Sequence, residues 1–230
     1  MNRIAAILLL CLCAVPALAR DNHANDHAQW QADIAAFQAA DRAAPPPRGA
    51  VLFIGSSSIR LWKTLAADFP GVATINRGFG GSQIDDATFF ADRLVAPYHP
   101  RAIVMYAGDN DLADGDSPAH VRDDFAAFVR RVRSFDPGVP IAFIAIKPSM
   151  ARRELLPQIR TANALVREYA AAQRGVAYVD VFTPMLGEDG QPQPQWFGPD
   201  GLHMNRRGYA LWIERLKPWV EAHGKPAAHD

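Results

Sequence analysis

Val51-Leu-Phe-Ile-Gly-Ser-Ser-Ser-Ile-Arg-Leu-Trp62 runs from four apolar residues straight into a polar glycine–serine turn, and then into an apolar pattern of helical spacing at Ile59 and Trp62. A short unbroken apolar run closed by a turn and followed by a helix is the opening unit of a parallel sheet, whose strands are buried on both faces. The same unit recurs along the chain. Apolar runs occur at residues 51–54, 72–75, 102–106, 141–146 and 176–181, and segments of helical pattern lie at 59–69, 84–98, 118–135, 153–173 and 205–222. Five strand–helix units predict an α/β fold, a three-layer α/β/α sandwich around a five-stranded parallel sheet, with ligands outside the carboxyl ends of the strands. Each string rich in polar and glycine residues falls at such an end: GSSS after the first run, RGFGGS after the second, AGDND after the third and IKPS after the fourth.

At 230 residues and 49% hydrophobic composition, the chain suits one domain with a substantial core. Its 24 basic side chains balance 24 acidic ones, which speaks against nucleic acid or an anionic membrane surface as partner and for a small, roughly neutral substrate. Arg3, the apolar stretch Ile4 to Val15 and Ala17-Leu-Ala19 follow a secretory plan. That stretch is too short to span a bilayer, so residues 1–19 are expected to be a signal peptide cut after Ala19 rather than a stable membrane anchor. Both cysteines, Cys11 and Cys13, fall inside it, and the exported product, periplasmic or secreted, would have neither disulfides nor a thiol nucleophile. Residues 20–47 read as an extension with one helix, Trp30 to Ala44, stopped by Pro45-Pro-Pro47, which either packs on the domain or mediates self-association. The main domain is placed at residues 48–223, and 224–230 as a flexible tail.

Ser57 is the candidate nucleophile. Serine in a turn is by itself weak evidence, since Ser58 could cap the following helix, and such a loop could also cradle a phosphate or a sugar in a non-catalytic binding module. Gly-x-Ser-x-Gly is absent around Ser57, where Ile59 takes the second glycine's place, and around Ser82, where Ile84 does. Far downstream, Asp200-Gly-Leu-His203 offers a carboxylate and an imidazole within one short loop. Asn205 already suits the role of cap to the final helix, which leaves that pair free to orient and activate the serine. Gly81 and Asn110, at the second and third strand ends, are candidate donors to an oxyanion. Phe79, Asp109, Trp196 and Phe197 are candidate substrate contacts, with Phe182 and Met150 as further possible walls. No histidine pair, His99 and His120 included, shows metal-ligand spacing, so no metal is expected.

Taken in order and spacing, these strings resemble the SGNH (GDSL-like) hydrolase superfamily. The Gly-Asp-Ser block maps onto Gly55-Ser56-Ser57, the second-block glycine onto Gly81, Gly-x-Asn-Asp onto Gly108 to Asp111, and Asp-x-x-His onto Asp200 to His203. Ser56 and Ser82 stand where the family usually has aspartate. The resemblance implies a flavodoxin-like serine esterase without cofactor, with Ser57, His203 and Asp200 as triad. It also implies an oxyanion hole made by the amides of Ser57 and Gly81 and the side chain of Asn110. Within such enzymes a short-acyl or acetyl esterase competes with a lysophospholipase or thioesterase.

Overall fold

A computed structural model describes residues 27–225, so the expected signal peptide and most of the expected tail lie outside the described residues. The sheet is β1 (Val51–Gly55), β2 (Thr74–Gly78), β3 (Ala102–Tyr106), β4 (Ile141–Ile144) and β5 (Val176–Val179). All pairings are parallel, in the order β2-β1-β3-β4-β5. This is the expected α/β architecture.

Register decides which side chains share a face. Val51 lies opposite Ala102 and Phe53 opposite Val104. With the two-residue alternation of a strand, these positions and Tyr106 look to one side. There Tyr106 meets Trp212 and Phe53 meets Trp62, so the C-terminal helix α9 (Arg206–Gly224) covers this face. Met105 pairs with Phe143 on the other side, where Phe143 packs on Phe125 of α7 (Pro118–Arg133), beside α8 (Leu156–Ala171). Strands β1, β3 and β4 are buried along their whole length, as unbroken apolar runs require.

The helices depart from their expected lengths where polar side chains intervene. The segment 59–69 forms two short helices, α2 (Ser57–Arg60) and α3 (Leu65–Asp68), and at the end of the first the Ile59 carbonyl is shared between the Trp62 amide at 3.0 Å and Asn76 Nδ2 at 2.7 Å. Ser58 caps nothing; Ser56 is the N-cap, and Ser58 Oγ is buried without a hydrogen-bond partner among the described residues. The segment 84–98 breaks into α4 (Ile84–Phe89), α5 (Ala91–Leu94) and a 3-10 turn containing Pro97, whose ring nitrogen has no proton to continue a helix. Strand β2 starts and ends later than its apolar run, taking in Asn76 and Arg77. α9 reaches Gly224, which is buried against Val51 and Val72, so residue 224 belongs to the domain and not to a tail.

Of the two options for the N-terminal helix α1 (Gln31–Ala43), the structure shows packing on the domain. Its Asp41 accepts from Arg77 Nη2 and from Tyr98 Oη, each at 2.5 Å, while Arg77 Nε donates to Tyr98 Oη at 2.9 Å. Arg77 is only 8% exposed and also stacks on Phe37 of α1 at 5.0 Å. Removing one partner of a buried pair strands the other charge in a poor solvent. Asp41→Ala should therefore lower stability by about 2–3 kcal/mol, at or below the roughly 3–5 kcal/mol of a fully buried pair because Asp41 keeps some solvent contact. Thermal unfolding of the two proteins checks this.

Candidate active site

β1 and β3 are neighbours, and the chain leaves them toward opposite edges of the sheet, so the loops beyond their carboxyl ends diverge and open a crevice. Ser57 follows β1 there, and a fifth helix-sized turn, α6 (Asp109–Ala113), follows β3. The approach is close: a methyl group on Gly55 would lie 1.8 Å from the Tyr106 carbonyl oxygen, and Gly55 has φ +136°. Only glycine fits this position, which brings the serine turn against the end of β3.

Asp200 and His203 arrive on a loop closed by its own hydrogen bonds. The Gly198 amide donates to the His203 carbonyl at 2.8 Å. Asn205 caps α9 through the amides of Arg207 and Gly208, and its Nδ2 also donates to the carbonyls of Gln195 and Phe197. Two further links seat α9, and hence this loop, over the serine turn. Tyr209 Oη donates to the Ser58 carbonyl at 2.9 Å, and Arg206 pairs with Asp68 of α3 at 2.5 Å.

The three side chains meet. His203 Nε2 lies 3.1 Å from Ser57 Oγ, across 146 residues of sequence, and His203 Nδ1 lies 2.6 Å from Asp200 Oδ2. A carboxylate only accepts, so Nδ1 carries the ring proton and Nε2 is left to accept from the serine hydroxyl. Asp200 Oδ1 accepts from the amides of Leu202 and His203, each at 3.0 Å. The hydrogen bond from His203, helped by the Leu202 amide, holds the Asp200 carboxyl down at about 2, although its side chain is 52% exposed.

The second and third loops are tied to this centre. The Phe79 amide donates to the Gly55 carbonyl at 2.9 Å, and Gly81 takes φ +87°. Asn110 Nδ2 donates to the Ser82 carbonyl at 3.0 Å, joining the two candidate oxyanion loops, and Asp111 reinforces the joint by accepting from the amides of Ile84 and Gly108. Burial pushes the Asp111 carboxyl well up, with the Ile84 amide pulling against it.

Three proposed substrate contacts need correction. Phe79 is fully buried, edge-on to Trp30 and Phe90, and is a core residue. Phe197 is 5% exposed and packs in the core, as does Phe182. Asp109 is 5% exposed and faces inward, its Oδ2 3.0 Å from Lys147 Nζ and 3.4 Å from Arg152 Nη1. Burial raises its carboxyl, but the two cations outweigh this and leave it below the ordinary carboxylate value. Trp196 and Met150 remain partly exposed.

Trp30, Lys147 and Arg152 are neighbours of the site that were not singled out in the sequence. Trp30 seats its ring 3.2 Å from where a Gly81 methyl would be, a contact across distant segments that no local pattern announces. Lys147 did leave a trace, being a charge at the end of the apolar run 141–146. Asp116, His120 and Asp124 bring potential ligand atoms within 4.8 Å of one another outside the triad, with Asp124 raised to about 6 by burial, against the pull of His120 and with neighbouring carboxylates adding to the rise. Spacing along α7 could have flagged His120 and Asp124, one helical turn apart. A cleft of about 500 Å³ bounded by Arg133, Pro137, Gly138, Val139, Arg174 and Gly175 lies at the amino ends of β4 and β5, the wrong end of a parallel sheet for this site.

The profile of the GDSL-like lipase/acylhydrolase family matches residues 55–211. No curated protein matches the chain by sequence. Solved structures share its fold. A GDSL-like lipase from Bacteroides thetaiotaomicron superposes with TM-score 0.72 at 22% identity, over 83% of this chain and 98% of that one. A lipase/acylhydrolase from Enterococcus faecalis gives 0.63 at 19%, over 78% and 100%. The family 3 carbohydrate esterase from Clostridium thermocellum gives 0.59 at 15%, over 77% and 100%.

Because the His203 hydrogen bond is the largest cause of the lowered Asp200 pKa, His203→Ala should let that pKa climb back toward the ordinary value of about 3.9. A carbon-13 carboxyl titration of both proteins measures it.

Proposed function

Because the chain belongs to the GDSL-like lipase/acylhydrolase family and is a carboxylic-ester hydrolase, we propose that it works through an acyl-enzyme on Ser57, with His203 as base and Asp200 as its orienting partner. The observation that carries this reading is the continuous Ser57–His203–Asp200 chain at 3.1 and 2.6 Å. Ser57 Oγ attacks the ester carbonyl while Nε2 takes its proton, and the imidazolium so formed is stabilised by the Asp200 carboxylate. The tetrahedral oxyanion is held by the amides of Ser57 and Gly81 and by Asn110 Nδ2. His203 then returns the proton to the departing alcohol. Water, deprotonated by the same nitrogen, attacks the acyl carbonyl, and Ser57 is released with the carboxylic acid.

We further propose that the acyl group is short, such as acetyl, and that the alcohol side can be large, a glycan included. His203 and Asp200 are 34% and 52% exposed, so the centre opens at the surface, where a bulky alcohol can sit outside while a small acyl group reaches the serine. Export rests on the pattern Arg3, Ile4 to Val15 and Ala17-Leu-Ala19.

Ser57→Ala and His203→Ala should each lower kcat by several decades, and Asp200→Asn by less, as triad members acting as a unit usually behave. A p-nitrophenyl phosphonate should add its mass to Ser57 alone, and rates on p-nitrophenyl esters should fall from acetate to decanoate. An adduct on another serine ends the mechanism, while a preference for decanoate ends only the short-acyl assignment. Asp200, held at about 2, stays ionised through the neutral range, so its own titration should leave no inflection in a kcat profile above about pH 4.

A further inference from the structure

We propose that Arg152 is a positioning residue for the oxyanion hole, fixing the side-chain amide of Asn110 so that its N–H faces the substrate; the proposal rests on the ester-hydrolase mechanism above. A terminal amide can turn end for end, and an oxyanion hole needs a donor. With Nδ2 toward the reacting carbonyl, Asn110 stabilises the developing charge. With Oδ1 there, it opposes it.

Both ends of this amide are engaged. Nδ2 gives one proton to the Ser82 carbonyl at 3.0 Å and keeps the other for substrate, while Oδ1 accepts from Arg152 Nη2 at 3.0 Å. A guanidinium has donors only, so the amide oxygen must turn toward it. Arg152 is itself held, with Nη1 donating to the Asp109 carbonyl at 2.7 Å, so one planar fork grips two successive residues of α6. The adjacent Ala151 amide donates to the Gly201 carbonyl at 3.1 Å, inside the Asp200–His203 loop. One short segment after β4 is thus bonded to both halves of the catalytic apparatus.

Arg152 is not merely a counter-charge for Asp109. Lys147, almost wholly buried, already pairs with that carboxylate at 3.0 Å. Arg152 makes its two shorter contacts with the carbonyl of Asp109 and the amide oxygen of Asn110, and its nitrogen is 3.4 Å from the carboxylate. Lys147 and Arg152 against Asp109 leave one net positive charge beside the hole. A cation on the amide oxygen also polarises the amide, which strengthens its remaining N–H as a donor.

The test is a double-mutant cycle on p-nitrophenyl acetate with Arg152→Gln, Asn110→Ala and the pair. Asn110→Ala should lower kcat about 100- to 1000-fold, as loss of one oxyanion donor does. Arg152→Gln should lower kcat about 10- to 30-fold with KM moving less than about threefold, because the contact matters chiefly in the transition state. In the double variant, the Arg152 change should add less than about threefold. Arg152→Lys, which keeps the charge but not the fork, should recover part of the loss. If Arg152→Gln does not fold, Arg152→Lys takes its place in the cycle, with the rate of Ser57 phosphonylation as second readout. Losses that multiply in the double variant, or a loss confined to KM, overturn the positioning role while leaving the triad intact. Wild-type protein that shows no Ser57-dependent hydrolysis overturns the mechanism itself.

Discussion

The parallel pairing of β1 with β3 is the constraint on which everything else depends. It brings two loops to the same end of the sheet and then sends the chain away in opposite directions, so the gap between them cannot be filled by a continuing helix. The pairing is unusually intimate at its end, where Gly55 lies so near the Tyr106 carbonyl that no side chain can intervene. The turns that carry Ser57 and Asn110 therefore leave from neighbouring strand ends by backbone geometry alone. The C-terminal helix completes the centre from the face of the sheet that also carries the serine turn. Its Tyr209 and Arg206 bind the serine turn and α3, so the position of His203 is set by the same packing that buries Trp62 and Trp212.

What was legible in the sequence was what local chemistry controls. Unbroken apolar runs announce a buried parallel strand because no alternation is needed when both faces are covered, and β3 matches its run residue for residue. Asp200 and His203 are legible because they lie three residues apart in one loop, and their pairing requires no long-range information. Length was misjudged where a distant polar side chain intervened. Nothing between residues 59 and 69 says that the helix must stop; where it does, Asn76 from the next strand shares the Ile59 carbonyl with the Trp62 amide.

Closeness to a motif in sequence is a poor guide to substrate contact at Phe79, Phe197 and Asp109, because the tight turns that expose a motif bury what flanks it. Aromatic residues beside such turns are drawn inward by their apolar area, at roughly 25 cal/mol per Å² removed from water. Asp109 follows for a different reason. A buried charge is tolerated only with opposite charges and hydrogen bonds around it, and Lys147 and Arg152 supply these. Arg152 was invisible because its value depends on α6 lying under it, a matter of tertiary placement rather than of spacing.

The polar apparatus divides into an open half and a closed half, and the division fits their tasks. Asp200 is half exposed, and its carboxylate is secured by two amides and an imidazole rather than by burial. It orients a ring by short, local bonds that solvent does not disrupt. Asn110 has no such local turn to hold it, and its amide would present either end with equal ease in water. The donor that must face the oxyanion is therefore the one backed by Arg152, itself anchored beside the buried Asp109–Lys147 pair, where a lowered dielectric strengthens the contact and reorganisation is costly. Preorganisation is built where the side chain could otherwise turn the wrong way, and exposure is kept where substrate and water must enter and leave.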